Sequence, residues 1–248
     1  MTFDPFGDFE AKGYLRNREG EKDRAIVRRL EHAAFTTGLE SAFEALSKRR
    51  TITYDDVLAT HRTLFGPVYP WAGEDRAATA PDLVISKGDG DNRVLFANPA
   101  DIRRSVEFGL KLGQDKANMA SKPGEVMGYL AFGHPFLDGN GRTIMVVHCM
   151  LAHRAGIRID WAATEKNAYL VALTRELDEP GKGHLDAYLK PFVGKRGAAS
   201  DLPADVAAAP GLDGQGSDVI LGKTDDAALK AEYEAAKQKR KEALGQAS

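Results

Sequence analysis

A polar, glycine-rich loop at residues 133–141 lies between two strongly apolar segments, and this arrangement constrains the fold more than any other feature. The segment before the loop begins at Pro123 and carries apolar residues at helical spacing as far as Phe132. The segment after it continues to about Ala155, where Gly156 is a typical helix-ending residue. The sequence therefore predicts two buried helices joined by a tight loop of small residues.

The start of the second helix has the properties of an anion-binding site. Free backbone N–H groups converge at a helix start, and the helix dipole adds partial positive charge there. Gly139 and Gly141 allow the backbone to come close to phosphate oxygens. Arg142 offers a rigid guanidinium for phosphate, Asp138 offers a hard oxygen that suits Mg²⁺, and Asn140 can brace the loop or donate to a phosphate.

His134 precedes these residues and supplies a group that titrates near neutral pH. It can therefore take a proton from an incoming hydroxyl, and a positioned general base contributes about 10²–10⁴-fold to a rate. In phosphoryl chemistry most of the remaining acceleration comes from alignment and charge neutralisation. The loop thus predicts chemistry on a phosphate-containing substrate.

The rest of the chain also shows mostly helical periodicity. Asp23 can cap a first helix, and Asp55 lies at the start of a second one that ends before Gly66. Residues 82–97 differ, because two short apolar runs flank the polar segment 88–92 and predict a β-hairpin. An isolated hairpin is only marginally stable, so we expect it to lie against the helical body as a flap.

Composition changes after about residue 194, which suggests three parts. We expect a main domain at residues 1–194, a flexible linker rich in Gly, Ala, Pro and Asp at 195–216, and a charged helical tail at 217–248. The sequence leaves open whether this tail is solvated, docks on the domain or binds a partner.

Charge and cysteine content exclude several classes of protein. The formal net charge is −2, so no global positive field exists to hold nucleic acid or an anionic membrane. Cys149 is the one cysteine, so no intramolecular disulfide can form. Residues 1–10 do not form a Sec signal, and no apolar run approaches the roughly 20 residues of a membrane span. We expect a cytoplasmic bacterial protein, with delivery by a dedicated secretion system still open.

Residues 134–142 read H-P-F-x-D-G-N-G-R, which resembles the signature of the Fic (Fic/Doc) family. Residues 70–76 are similar to the P-W-A-G-x-x-R turn of that family, and residues 85–96 resemble its target-positioning flap. Tyr14 to Asn17 resembles its entry segment, so the resemblance covers roughly residues 14–192.

The resemblance implies an all-α fold with a short β-hairpin flap, and a protein adenylyltransferase. In such an enzyme His134 would deprotonate a Ser, Thr or Tyr hydroxyl of a target protein, which attacks the α-phosphate of ATP and releases pyrophosphate. Asp138 would hold Mg²⁺, the 139–141 backbone would form the anion hole, and Arg142 would bind the β- and γ-phosphates. The resemblance also implies nucleotide contacts at Asn167 and Tyr169 and target docking on the flap at Ile85, Ser86, Lys87 and Phe96.

The sequence departs from the family pattern at two places. The motif commonly continues to a second arginine, and Met145 stands there instead, which favours as alternatives another nucleotide or CDP-linked donor. A catalytically silent scaffold that binds a partner is a further alternative. The inhibitory motif of the family is only half matched at Thr36 and Glu40, so we expect inhibition, if any, from a separate antitoxin protein.

Overall fold

The computed structural model describes residues 15–87, 94–212 and 219–246. Its helices are α1 (Arg24–Ser47), α2 (Tyr54–Phe65), α3 (Arg76–Thr79), α4 (Ile102–Gln114), α5 (Lys116–Ser121), α6 (Pro123–Gly133), α7 (Asn140–Ala155), α8 (Lys166–Asp178), α9 (His184–Leu189), α10 (Leu202–Ala207) and α11 (Ala227–Gln246). Its strands are β1 (Leu83–Lys87), β2 (Val94–Leu95), β3 (Ile157–Ile159), β4 (Val193–Lys195) and β5 (Val219–Lys223). The prediction of a mainly helical fold with a short flap is confirmed.

The first two helices begin at residues whose side chains satisfy free backbone donors. The carboxylate of Asp23 accepts from the N–H groups of Ala25 and Ile26 at the start of α1. Thr53 and Asp56 form a reciprocal capping box at the start of α2. Because caps of this kind stabilise a helix by about 1 kcal/mol, both starts are specified locally by the sequence.

Helix α7 forms the centre of the core. Nearly every residue from Arg142 to Ala152 is buried, and α1, α2, α4, α5 and α6 all pack against this helix. A helix that is apolar on all sides must be surrounded in this way, and each buried aliphatic side chain contributes about 1.5–3 kcal/mol. The central position of α7 fixes its first turn in space, and with it the loop that precedes it.

The hairpin predicted near residues 82–97 is present, but it belongs to a three-stranded sheet. β1 pairs antiparallel with β2 on one edge and with β5 on the other. Residues 88–93, which include the predicted polar tip, lie outside the described residues. A second small sheet joins β3 to β4.

Residues 195–212 differ from the flexible linker that composition predicted for 195–216. This segment contains α10, and Leu202, Val206 and Ala209 enter the main core cluster. Their spacing of four and three residues places them on one face of a helix, which explains the packing despite the many small residues around them. Residues 213–218, the second half of the predicted linker, lie outside the described residues.

The tail contains the expected charged helix, α11, and in addition the strand β5. Tyr233 and Lys239 of α11 contact the domain, as described below. None of the helices in the described ranges combines the length and apolar character needed to cross a membrane.

Candidate active site

His134 ends α6 in an unusual backbone conformation. Its φ of 41° and ψ of 59° lie in the left-handed region, and it is the one non-glycine residue with positive φ in the described part of the chain. A non-glycine residue in this region costs about 1–3 kcal/mol and persists only where the surroundings enforce it. The strain turns the chain sharply out of α6 and aims the loop toward the start of α7.

Arg76 is the residue that enforces this conformation. It is fully buried, and its Nε donates to the carbonyl oxygen of His134 at 2.8 Å. Its Nη2 donates to the carbonyl of Ala97, just after the flap, at 3.0 Å, and its backbone N–H donates to Pro135 at 2.7 Å. One side chain therefore joins the base of the flap to the backbone of the candidate catalytic histidine.

The imidazole of His134 lies between Asn140 and Phe96. The side-chain amide of Asn140 is oriented by Phe136, whose N–H donates to its Oδ1 at 2.8 Å and whose carbonyl accepts from its Nδ2 at 2.7 Å. The same Nδ2 lies 3.0 Å from Nε2 of His134, so this ring nitrogen is the acceptor. The ring of Phe96 stacks on the face of the His134 imidazole, with 3.7 Å between ring centroids. The flap thus touches the candidate base directly.

The start of α7 provides donors and open space. Gly139 occupies the N-cap position with φ of 77°, and a Cβ there would lie 2.6 Å from the ring of Phe65. Among the described residues, no side chain caps this helix start, and a Cβ at Gly141 would meet nothing within 4 Å. Because the N–H groups of a first helical turn have no partners within the helix, this surface is suited to phosphate oxygens.

Four polar side chains meet beside this helix start. Arg142 is 4% exposed, and its Nη2 lies 3.2 Å from Asp138 Oδ1 and 3.4 Å from Glu31 Oε2. Its guanidinium also lies over the ring of Phe65, 4.6 Å from the centroid. The hydroxyl of Tyr69 donates to Glu31 Oε1, and Asp138 Oδ1 accepts from the N–H of Gly139.

Burial changes the titration of Glu31. Burial, followed by the negative charge of Asp138, raises the pKa of this carboxyl to about 8, although the positive charge of Arg142 opposes the shift. Asp138, in contrast, has a side chain that is 45% exposed and faces the solvent. The carboxylate that the sequence assigned to a metal is thus the accessible one of the two.

His61 links the loop to a neighbouring turn through hydrogen bonds at both of its ring nitrogens. The N–H of Gly73 donates to its Nδ1 at 2.9 Å, so Nε2 carries the hydrogen and donates to the carbonyl of Asp138 at 3.0 Å. Burial lowers the pKa of His61 to about 3, so the ring stays neutral. It also stacks on Phe136 with 3.7 Å between centroids. His61 therefore joins the turn at residues 70–73 to the loop.

The structure brings together most of the predicted site residues. Six of them lie together between the end of α6 and the first turn of α7, namely His134, Asp138, Gly139, Asn140, Gly141 and Arg142, and Phe96 of the flap stacks on His134. Ile85 packs with Phe96 in a small apolar cluster, and Ser86 is fully buried, with a hydroxyl that has no hydrogen-bond partner among the described residues. The backbone of Lys87 pairs with Val94.

Asn167 and Tyr169 have their contacts elsewhere. Asn167 is exposed at the start of α8, where its N–H donates to the carboxylate of Glu165 at 2.9 Å. Tyr169 packs edge-on against Trp161, with 5.7 Å between centroids, and lies near Tyr188. These contacts are typical of packing, so the nucleotide role predicted for both residues stays a prediction.

Two residues at which the sequence departs from, or only partly matches, the family pattern have clear surroundings. Met145 is buried in the core cluster, where the family pattern has an arginine. Glu40 is exposed on α1, in contrast to Glu31 nine residues earlier.

Sequence reasoning missed Glu31 and the contacts of His61, although both interrupt an otherwise apolar helical face. Val27, Glu31, Phe35 and Leu39 recur every four residues, and this was the available signal.

Comparisons with known proteins show the family to which this chain belongs. The model of the Fic/DOC family matches residues 51–152. A Sinorhizobium fredii protein named Probable protein adenylyltransferase y4lH is 32% identical over 170 residues, which cover 65% of this chain and 82% of that protein. The chain therefore belongs to the Fic/DOC family, and the family prediction is confirmed.

Two further relatives show how much of a longer protein the chain resembles. Protein adenylyltransferase VbhT of Bartonella schoenbuchensis is 32% identical over 166 residues, which cover 66% of this chain. The chain spans about a third of that relative's length, 34%. Among solved structures, the N-terminal Fic domain of a VirB-translocated effector from Bartonella quintana, with bound ADP, has a TM-score of 0.62 at 20% identity. That match covers 77% of this chain and 96% of the other and shows the shared fold.

Proposed function

We propose that this protein transfers AMP from ATP to a Ser, Thr or Tyr hydroxyl of a protein target. The observation that carries the proposal is the position of the His134 imidazole beside the uncapped, glycine-lined start of α7. Relatives named protein adenylyltransferase and a solved neighbour with bound ADP support the same reaction class.

The proton transfer would take place at Nε2 of His134. Asn140 now donates to this nitrogen, so a target hydroxyl must replace the amide there before it can lose its proton. The hydroxyl oxygen then forms a bond to the α-phosphorus, and the bond to the oxygen bridging the α- and β-phosphates breaks. Pyrophosphate leaves with the electron pair, and His134 keeps the proton.

The start of α7 would bind the phosphates. The N–H groups of residues 140 and 141 would face the developing negative charge, and the burial of α7 fixes them in advance, whereas the N–H of Gly139 now donates to Asp138. Arg142 would bind the β- and γ-phosphates. Its Nη1 has no hydrogen-bond partner among the described residues, so it is the donor that neither Asp138 nor Glu31 engages.

The residues present fit a magnesium ion. Asp138 offers one accessible carboxylate, and Mg²⁺ in nucleotide sites is usually held by one or two carboxylates together with substrate phosphates. When bound, the ion would neutralise phosphate charge. His61 and the N–H of Gly139 hold Asp138 in place for this role through its carbonyl and its carboxylate.

Label transfer tests the proposal. The purified protein is incubated with Mg²⁺, bacterial lysate and α-labelled ATP, beside His134→Ala and the matched control His153→Ala on the more exposed face of α7. We expect a labelled protein band from wild type and from the control, and at least 100-fold less from His134→Ala. Equal labelling by His134→Ala would refute the assigned base.

A second donor is favoured by one observation. Met145 is buried in the core, so the position that carries a second arginine in the family contributes no cation to the site. A CDP-linked compound has no free terminal phosphate and would need less charge neutralisation there, whereas another nucleoside triphosphate carries the same phosphate charge as ATP. Parallel reactions with α-labelled UTP, GTP and CTP decide between the donors, and labelling from one of these alone would replace ATP in the proposal.

The setting of the reaction is also part of the proposal. The target is a protein, an antitoxin protein would hold the enzyme inactive, and the reaction would take place in a bacterial cytoplasm or in a cell that receives the protein as an effector. Copurification from a native host separates these cases: a stoichiometric small partner that suppresses labelling supports the antitoxin, and full activity of the protein isolated alone from that host argues against it.

A further inference from the structure

We propose that residues 219–246 are a built-in competitor of the target: β5 occupies the outer edge of β1, where an extended target segment would join the flap, and α11 fastens it beside the active site. The inference rests on the proposed function, since it assumes a protein target. Throughout this subsection residues 219–246 are called the C-terminal strap.

The strap takes up the free edge of the flap. β2 pairs with one edge of β1, and β5 pairs with the other through four residue pairs, from Leu83↔Lys223 to Ser86↔Val219. The N–H of Thr224 adds a bond to the carbonyl of Asp82 at 2.7 Å. A strand edge can bind only one further strand, so any target segment that adds to this edge must first displace β5.

This edge lies close to the candidate base. The N–H of Phe96 donates to the carbonyl of Ile85 at 3.2 Å, and the ring of Phe96 stacks on His134. Ile85 pairs with Ile220 of β5 on its other side. Neighbouring strands lie about 5 Å apart, so a segment in the place of β5 would run about 10 Å from Phe96, within reach of a long side chain.

Two contacts of α11 hold the strap across the site. The hydroxyl of Tyr233 donates to the carbonyl of Phe96 at 3.1 Å, and the side chain is partly buried. Lys239 Nζ lies 2.6 Å from the carboxylate of Asp178 at the end of α8. The first contact touches the residue that stacks on His134, and the second reaches the end of α8, a helix that packs against β2.

The form of these contacts allows displacement. The Lys239–Asp178 pair is about half exposed on both sides, and exposed ion pairs contribute little. Among the residues whose burial is described, all members of the main core cluster lie before residue 213, so release of the strap leaves those contacts intact. A chain that ends at residue 212 therefore retains every one of these core residues, and it is a suitable comparison for the full chain.

Hydrogen exchange tests occupancy of the edge without any need for activity. We compare amides of β1 in the full chain and in the chain ending at 212, with amides of α7 as the internal control. We expect at least tenfold faster exchange in β1 of the shortened chain, unchanged exchange in α7, and restored protection when a peptide of residues 213–248 is added. Unchanged β1 exchange, or no effect of the peptide, would overturn the proposal.

Label transfer then tests competition. The shortened chain should label its target at least fivefold faster than the full chain, and the added peptide should reverse the gain. Tyr233→Phe and Lys239→Ala should give intermediate rates, whereas Lys237→Ala, whose ion-pair partner Glu234 lies on α11 itself, should match the full chain. Equal or slower labelling by the shortened chain would overturn competition. If no variant transfers label from any donor, the proposed function fails. The role of the strap is then decided by peptide binding: the peptide should bind to the shortened chain and should not bind to the full chain.

Discussion

Replacement of Arg76 by methionine is expected to weaken both the fold and the active site. The guanidinium is fully buried and donates to the carbonyls of His134 and Ala97 at 2.8 and 3.0 Å. Methionine fills a similar length but offers no donor, so both carbonyls lose their side-chain partner. A buried acceptor without a partner costs about 1–3 kcal/mol, which gives about 2–6 kcal/mol for the pair.

Part of this cost is offset, because the variant no longer buries a positive charge. We therefore expect a net loss of about 2–4 kcal/mol in the free energy of unfolding. Arg76→Lys should lose about half as much, since a single ammonium lacks the fork that reaches both carbonyls. Urea unfolding followed by circular dichroism measures both variants, with a lower midpoint and an unchanged slope as the expected result.

Arg103→Met is the matched control. Arg103 lies over the ring of Tyr54, but its side chain is 55% exposed and pairs with Asp55 at 3.1 Å. Its replacement should cost no more than about 1 kcal/mol. Label transfer, measured where Arg76→Met remains folded, should fall by more than the folded fraction does, because the strained turn at His134 loses its support. A stability within about 0.5 kcal/mol of wild type would refute the reasoning.

Three further predictions concern the packing around the site. Gly124→Ala should lower the urea midpoint by an amount equivalent to about 2–4 kcal/mol, because its Cβ would lie 2.3 Å from the backbone nitrogen of Asp186. Gly194→Ala, whose Cβ would meet nothing within 4 Å among the described residues, is the control, and equal stability of the two variants would contradict this. The side chain of Asp186 is partly exposed, and burial followed by the charge of Glu176 raises its pKa from 3.8 to about 6. The folded state therefore binds the proton more tightly than the unfolded state does. As a result, the free energy of unfolding falls as pH rises from about 4 to 6. Asp186→Asn should remove about 1–2 kcal/mol of that fall after allowance for solvent screening, and identical pH profiles of the two proteins would exclude the effect. Burial raises the pKa of the Cys149 thiol to about 12, so a thiol reagent at pH 8 should react only as fast as the protein unfolds, and rapid labelling of the native protein would argue against the burial.

The candidate site could be predicted from the sequence because its parts are close together in the chain. His134 and Asn140 are six residues apart, and Asp138 and Arg142 are four apart. Over such short separations the helix ends and the glycines largely determine geometry, so the motif and its place at the start of α7 specify where these side chains lie. The long apolar runs of α6 and α7 likewise predicted burial from periodicity alone.

Other features arise from contacts that local sequence does not encode. Glu31 meets Arg142 across 111 residues, and Tyr233 meets Phe96 across 137. The sequence predicts only a charged helical tail at residues 219–223, because a short apolar run does not indicate which strand it will pair with. In the folded chain the free edge of β1 provides that pairing strand. Residues 202–209 were assigned to a linker from their small side chains, but three apolar residues on one face were sufficient to join an existing core.

The sequence by itself therefore determined the helical class, the loop and the order of its candidate catalytic groups, because periodicity and short-range spacing control these. Only the tertiary structure decided what surrounds them: the buried Glu31 beside Arg142, the Arg76 link between His134 and the flap, and the strand that fills the flap edge. The physical reason is that buried polar groups and strand edges take whichever partner the folded chain brings near, and that choice depends on the packing of the whole domain.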